Sequence, residues 1–274
     1  SGYGFHTIHG RGAAIATGVK VANPELTVWQ ITGDGDCLAI GGNHFIHSVR
    51  RNVDINVLLF NNQIYGLTKG QFSPTSKKGW VTKSSPYGTV EEPFQPGELT
   101  IGAHGTFFGR LLDVDLKSSQ MTMLAAANHK GASIVECLVN CIIFNDGAHG
   151  YLSEKASRED RIVVLEHGKK MIFGKERNKG LVLDGLKLKV VTIGEDGIRE
   201  DDILTHDAQD SDPTLHLMLV RMQAPEFPIA IGVIRDVPAE TFDHAISAQI
   251  AREQAKSKVK SFDDLVETLE QWEV

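Results

Sequence analysis

The segment Gly33–Gly66, GDGDCLAIGGNHFIHSVRRNVDINVLLFNNQIYG, sets an acidic glycine turn before a helical pattern and ends the next apolar run on paired asparagines. A packed core has no need of that arrangement, whereas a divalent cation gripping a diphosphate does. Mg²⁺ takes about six oxygen ligands, commonly a carboxylate with carbonyls, water and substrate phosphate. Asp34 can supply the carboxylate, Asn62 an amide oxygen, and the loop beyond it a backbone carbonyl near Ile64. Gly33 and Gly35 let the backbone approach phosphate oxygens, and the helix that follows offers free N–H groups at its positive end. Taken alone, GDG describes an ordinary strand-to-helix turn; its spacing to Asn61–Asn62 points to the metal.

These residues need particular elements to hold them. ELTVWQITGD (25–34) reads as a buried strand, CLAIGGNHFIHSVRRN (37–52) as a helix with Arg50 and Arg51 in its last turn, and INVLLFNN (55–62) as a second buried strand. That order is a βαβ unit, which implies a parallel sheet with a right-handed crossover. Asp34 and Asn61–Asn62 then share the carboxyl edge of the sheet, where open α/β sheets bind their ligands. Residues 66–88 are rich in Gly, Ser, Thr, Lys and Pro without apolar period, and predict a long loop of the functional kind. TFFGRLLDVD and ASIVECLVN predict strands, and LKSSQMTMLAAANHKG between them a helix stopped by Gly131. Composition shifts near residue 158, toward short strands with turns at His167–Gly168 and Asn178–Gly180. TLHLMLVRMQ fits helix or strand, FPIAIGVIRDV a strand, and AETFDHAISAQIAREQAKSK and SFDDLVETLEQWE two closing helices. The expected organisation is a binding domain over 1–157 and a C-terminal α+β extension over 158–274, serving as a cover or an interaction arm.

The chain has 274 residues, 23% charged, with a net charge of −7 and no long block of Lys or Arg. That balance argues against nucleic-acid or membrane-surface binding. No run of 18 apolar residues predicts a membrane span, and SGYGFHTIHGRG lacks the pattern of a signal peptide. Three cysteines, Cys37, Cys137 and Cys141, fit a reducing cytoplasm better than a disulfide framework. The first residue is Ser1, close to a motif, and further residues are expected upstream.

The stretch from GDG to NN resembles the thiamine-diphosphate binding motif. The longer string through GLTKGQFSPTS is similar to the β subunit of 2-oxoacid:ferredoxin oxidoreductases, and most of all to their 2-oxoglutarate branch. FHTIHGR (5–11), ATGVKVANP, CIIFNDGA and FPIAIGVIRDV extend the likeness over most of the chain. The resemblance implies a thiamine-diphosphate-binding α/β fold, with a mostly parallel sheet flanked by helices. It implies Mg²⁺ held by Asp34, Asn62 and the Ile64 carbonyl. Diphosphate contacts are implied at Gly33, Gly35, Asp36, Cys37, Asn62, Tyr65, Gly66, Leu67 and Thr68, the Cys37 thiol itself reading as an ordinary buried one. Lys69 suits an anionic substrate or CoA by its charge, and equally a solvated surface lysine. His6 and His9 lie in a region that faces the reactive ring of the cofactor in such proteins; which of them acts there is left open, while His44 and His47 read as structural.

The resemblance also implies a [4Fe–4S] cluster, which needs four thiolates. Cys141 alone matches a ligand position; the usual partners lie upstream of FHTIHGR. The implied reaction decarboxylates a 2-oxoacid oxidatively, or runs in reverse, with CoA as acyl acceptor and ferredoxin as electron acceptor. The glutamate that activates the cofactor would come from an α subunit, in a dimer of heterodimers. Pyruvate or another 2-oxoacid remains an alternative substrate. A cluster-free thiamine enzyme and a noncatalytic nucleotide-binding subunit remain alternative readings.

Overall fold

Strands covered on both faces read as unbroken apolar runs. β3 (Phe107–Leu112) and β4 (Ser133–Leu138) are accordingly buried at every position. In the computed structural model, which describes residues 2–155 and 157–268, they form the middle of a six-stranded sheet. β1 (Trp29–Gly33) and β2 (Asn56–Asn61) lie to one side, in the order β1-β2-β4-β3. All three of these pairings are parallel, with Gly33 level with Phe60 and Asn61 level with Leu138. The expected βαβ unit is therefore present, and its carboxyl edge carries Asp34 and the paired asparagines.

The order continues through β9 (Ile229–Asp236) to β5 (Ile162–Leu165). β9 runs antiparallel to β3, with a register irregularity between Phe108 and Gly109, and parallel to β5. Strands from both sides of residue 158 thus share one sheet. The rest of the C-terminal portion holds a three-stranded antiparallel sheet of β6 (Ile172–Phe173), β7 (Lys179–Asp184) and β8 (Lys187–Thr192).

One face of the main sheet is covered by α1 (Gly12–Ala22), α2 (Gly42–Arg50), α3 (Pro96–Gly102) and α7 (Thr214–Arg221). Ala16, Phe45, Val49, Ile101 and Leu219 of these helices join Val57, Leu59, Phe108 and Ile134 of the sheet, and Phe173 and Leu181 of the small sheet, in one core. The other face packs Phe107, Leu111 and Val135 against α4 (Leu116–Asn128), whose N-cap Asp115 accepts the Ser118 N–H. α5 (Gly150–Ser153) and α6 (Arg158–Arg161) lead into β5, and α8 (Phe242–Lys256) and α9 (Phe262–Thr268) finish the described chain. TLHLMLVRMQ resolves as a helix; the last residues of the closing helix expected from SFDDLVETLEQWE lie outside the described residues.

The expected helix over 37–52 is not continuous. Asp36–Ile40 forms a π-helical turn closed by the Gly41 N–H to the Asp36 carbonyl at 3.1 Å, and α2 begins only after it. The cause is local: a Cβ on Gly41 would stand 2.5 Å from the Asp36 carbonyl oxygen. Residues 62–95 form the long expected loop, with α3 as the next helix.

Candidate active site

Asp34 follows the last residue of β1 and is buried, with 2% of its surface exposed. Its Oδ2 accepts from the Ser73 and Thr75 hydroxyls, each at 2.5 Å. No lysine, arginine or histidine pairs with it among the described residues. Burial pushes its carboxyl above the ordinary aspartate range, with the hydrogen bonds from Ser73 and Thr75 opposing the rise. A buried carboxylate with hydroxyl and amide partners but no protein cation is a donor set short of positive charge, and a bound divalent ion would supply it.

The chain around Asn62 is bent to present oxygens. Gln63 takes φ +56, a left-handed conformation that a side-chain-bearing residue holds only when its surroundings enforce it. The Asn145 amide donates to the Asn62 carbonyl at 2.9 Å, and the Ser76 hydroxyl to the Gln63 carbonyl at 2.6 Å. The Asn62 side-chain oxygen accepts the Ile64 N–H at 3.1 Å, an Asx turn. The Ile64 carbonyl receives no hydrogen bond among the described residues. The Asp34 carboxylate and the Ile64 carbonyl thus remain as oxygens for a cation, together with the second lone pair on the Asn62 amide oxygen. These residues fit Mg²⁺, whose usual ligands are of these types. No group of three or more His, Cys, Asp or Glu side chains forms a metal cage among the described residues, so such a site must draw on amide and carbonyl oxygens.

Gly35 is required by close approach. A Cβ there would lie 2.2 Å from the Tyr65 ring, and the Tyr65 hydroxyl donates to the Gly35 carbonyl at 2.9 Å. Tyr65 therefore locks the glycine turn to the 65–71 loop, which it closes by accepting the Gly70 N–H and donating its own N–H to Gln71. Gly66 takes the Lys69 N–H on its carbonyl, and Leu67 and Thr68 stand exposed at the tip between them. Lys69 is exposed at φ +68, on the surface of the same loop.

The side chains of Asp36 and Cys37 are engaged within the protein. Both Asp36 carboxylate oxygens are engaged, one by the Gly10 N–H and the other by the Thr32 hydroxyl, each at 2.7 Å. Asp36 thus anchors the N-terminal segment, and its negative charge is poorly suited to a phosphate. Cys37 is buried in the main core, as expected of its thiol, and desolvation drives that thiol far up. His9 approaches Asp36 at 3.5 Å from an exposed position. His6 is exposed, with no hydrogen-bond partner among the described residues. His44 Nε2 meets Arg11 at 2.5 Å, the structural role expected of that helix.

Sequence reasoning missed the residues that hold Asp34. Asn61 joins them through Thr75: the Asn61 amide oxygen is 2.9 Å from the Thr75 hydroxyl, and its NH₂ donates to Glu136 at 2.7 Å. Glu136 in turn binds Arg110 at 2.7 Å, and both are buried. The hydroxyl run SPTS was the available signal, since three small hydroxyls in one loop suit a buried carboxylate.

Cys141 is partly exposed and forms an isolated bridge with Asn145, so the Cys141 loop is tied through Asn145 to the Asn62 turn. Cys137 is buried in β4 and its thiol is pushed up to about 12 by desolvation. The three thiols of this chain do not assemble the four-thiolate set of a [4Fe–4S] cluster. No helix is long and apolar enough to cross a membrane among the described residues.

Comparison with known proteins adds to this geometry. Residues 1–137 match the family described as thiamine pyrophosphate enzyme, C-terminal TPP binding domain. The 2-oxoglutarate oxidoreductase subunit KorB of Mycobacterium tuberculosis is 44% identical over 275 residues, which take in 99% of this chain and 73% of that protein. The 2-oxoglutarate synthase subunit KorB of Archaeoglobus fulgidus is 46% identical over 136 residues, half of this chain and 51% of that protein. Among solved structures, a 2-oxoglutarate:ferredoxin oxidoreductase from Magnetococcus marinus, with 2-oxoglutarate, coenzyme A and succinyl-CoA bound, superposes with a TM-score of 0.70 at 28% identity, over 97% of this chain and 75% of that one. With a diphosphate-type edge built around Asp34 and likeness of this extent, the chain belongs to the thiamine pyrophosphate enzymes, among the KorB-type β subunits of 2-oxoacid:ferredoxin oxidoreductases.

Proposed function

We propose that the chain binds thiamine diphosphate through Mg²⁺ at Asp34, Asn62 and the Ile64 carbonyl. As the β subunit, it would serve the oxidative decarboxylation of 2-oxoglutarate with CoA, or the reverse, exchanging electrons with ferredoxin. The observation that carries this reading is Asp34: a buried carboxylate without a protein cation, in the turn after β1 and on the same sheet edge as the free Ile64 carbonyl. When bound, the cofactor supplies an electron sink for loss of CO₂ from a 2-oxoacid.

The chain's own groups do the holding. Ser73 and Thr75 fix the Asp34 carboxylate, Tyr65 clamps the Gly35 turn, and Asn145 holds the Asn62–Ile64 bend. The Gly66–Thr68 tip is proposed as the diphosphate contact, with Lys69 beside it for an anionic group. Of the two histidines, His9 is proposed to face the cofactor, since it lies against the Asp36 anchor. Cys141 is proposed as a cluster ligand; a cluster there requires three thiolates from outside this set of residues. An α subunit is the proposed partner, in a dimer of heterodimers, and the cytoplasm the proposed location.

The test is anaerobic. The chain is assembled with its α subunit and assayed with 2-oxoglutarate, pyruvate and a branched-chain 2-oxoacid, using a viologen dye as acceptor. Turnover that requires CoA and thiamine diphosphate and is fastest with 2-oxoglutarate is expected. Turnover without CoA, or retention of the cofactor after Mg²⁺ is stripped, would overturn the reading.

A further inference from the structure

Beside the Asp34 site lies a solvent-open cavity of about 680 Å³, lined by residues of the main sheet, the small C-terminal sheet and the 222–229 segment. Its volume is in the range of small-molecule sites. Asn61 and Thr75, which face Asp34 with one side, line this cavity with the other. Its floor is the buried Arg110–Glu136 pair; Arg110 also donates to the Ala230 and Val220 carbonyls, at 3.3 and 3.4 Å.

The lining divides into two walls. Phe173 and Met222 are buried and Phe227 half-buried on the apolar side. On the polar side stand exposed Lys77, half-buried Tyr151 and buried His149. The Lys77 ammonium stands 6.0 Å from the Tyr151 ring centroid and, among the described residues, makes no ion pair. The Tyr151 hydroxyl has no hydrogen bond among them. Buried His149 donates Nε2–H to the Asn61 carbonyl at 3.0 Å, which leaves Nδ1 as a free acceptor; desolvation holds this ring below the usual histidine range and so uncharged. The other cations of the lining are committed: Arg110 to Glu136, Lys179 to Asp160 at 2.8 Å, and Arg161 to the Tyr151 carbonyl at 2.7 Å. Glu226, in the 222–229 segment of the lining, disfavours highly charged polyanions.

We propose that this cavity is a second ligand site, distinct from the diphosphate site, for a small organic anion with an apolar or planar body. Its acidic group lies on Lys77 and Tyr151, an N–H or O–H of the ligand meets His149 Nδ1, and its body rests on Phe173 and Phe227. This goes beyond the proposed function, since no step of that reaction uses the cavity. Its occupant would touch Asn61 and Thr75, and through them the Asp34 carboxylate.

The assembled enzyme, loaded with thiamine diphosphate and Mg²⁺, is titrated by calorimetry with AMP and, separately, with phenylacetate, which distinguishes a phosphate from a carboxylate ligand. Saturable binding of one of them, one per chain, is expected. Lys77→Ala should weaken it about tenfold or more, as loss of a charge-assisted bond does, and Tyr151→Phe should weaken it less. Thermal unfolding, thiamine diphosphate content and turnover of both variants stay at the parental level. The proposal is overturned if neither probe binds at millimolar concentration, or if both variants bind as the parent does. It is also overturned if CoA displaces the probe one for one, since the cavity would then be part of the acyl-acceptor site.

Discussion

Asp34 and Glu136 are both buried carboxylates, and the side chain of Asn61 connects them through Thr75. Glu136 has its cation built in, Arg110 at 2.7 Å, with Asn61 on its other oxygen. Asp34 has two hydroxyls and no protein cation among the described residues. A buried charge without its counter-charge costs the fold heavily unless it takes up a proton or an ion. The contrast separates a carboxylate with a protein counter-charge from one proposed to serve a ligand, and it does so by what surrounds each rather than by residue type.

The largest effect is predicted for Glu136. In Glu136→Leu the Arg110 guanidinium stays buried without its partner, and unfolding by urea should show a loss of about 3–5 kcal/mol. Asp34→Asn should do the opposite in metal-free protein, leaving stability unchanged or raised, because it removes an uncompensated charge. An equal loss in both variants would erase the distinction drawn here.

Next is the ligand side of the same contrast. Asp34→Ala should weaken Mg²⁺-dependent retention of thiamine diphosphate by at least about a hundredfold, the scale of losing a direct charged contact. Glu136→Gln, assayed in parallel, should retain the cofactor at near the parental affinity. Calorimetry on the assembled enzyme, with circular dichroism as the check of fold, measures both.

A smaller effect is expected from Thr75→Val and Ser73→Ala, which leave the carboxylate in place but free to turn. Each should weaken Mg²⁺ binding by about tenfold, corresponding to about one hydrogen bond to a charged group. Unchanged metal affinity in the double variant would show that the hydroxyls merely fill space.

The smallest predicted effect is a pH slope. Burial raises the Asp34 carboxyl in the folded chain, while the unfolded chain ionises in the ordinary range. Above that range the folded state binds more protons than the unfolded state, so stability should fall as pH rises toward the raised value. The contribution is fully present below the ordinary aspartate range and is lost on passing through the folded one. Saturating Mg²⁺ and thiamine diphosphate should abolish that slope. Melting temperatures across pH, with EDTA or with both ligands, report it.

Much of the cofactor edge was legible because its signals are local. A glycine turn after a β-branched run, and asparagines closing the next run, are fixed by strand geometry and the parallel crossover. The long loop was legible from its lack of any apolar period. Other features depended on tertiary context. Asp36 sits one residue from Gly35 and shares its motif, yet Gly10 and Thr32 claim both of its oxygens. Cys37 follows the same turn, yet the π-helical turn directs it into the core. Composition suggested a boundary near residue 158, but β9 and β5 complete the main sheet. The reversal of strand direction between β3 and β9 leaves no mark in the periodicity of either partner.

By itself, the sequence determined the βαβ edge, the candidate Asp34–Asn62–Ile64 oxygens and the family likeness, because spacing along a strand and through a turn is set by the covalent chain. Only the tertiary structure decided which buried carboxylate keeps a protein cation, that Asn61 joins Asp34 through Thr75, and that a cavity lies beside that site. Those outcomes depend on residues far apart in sequence, from Thr75 to Glu136 and His149, meeting in a desolvated interior where a few ångströms decide whether a charge is paired.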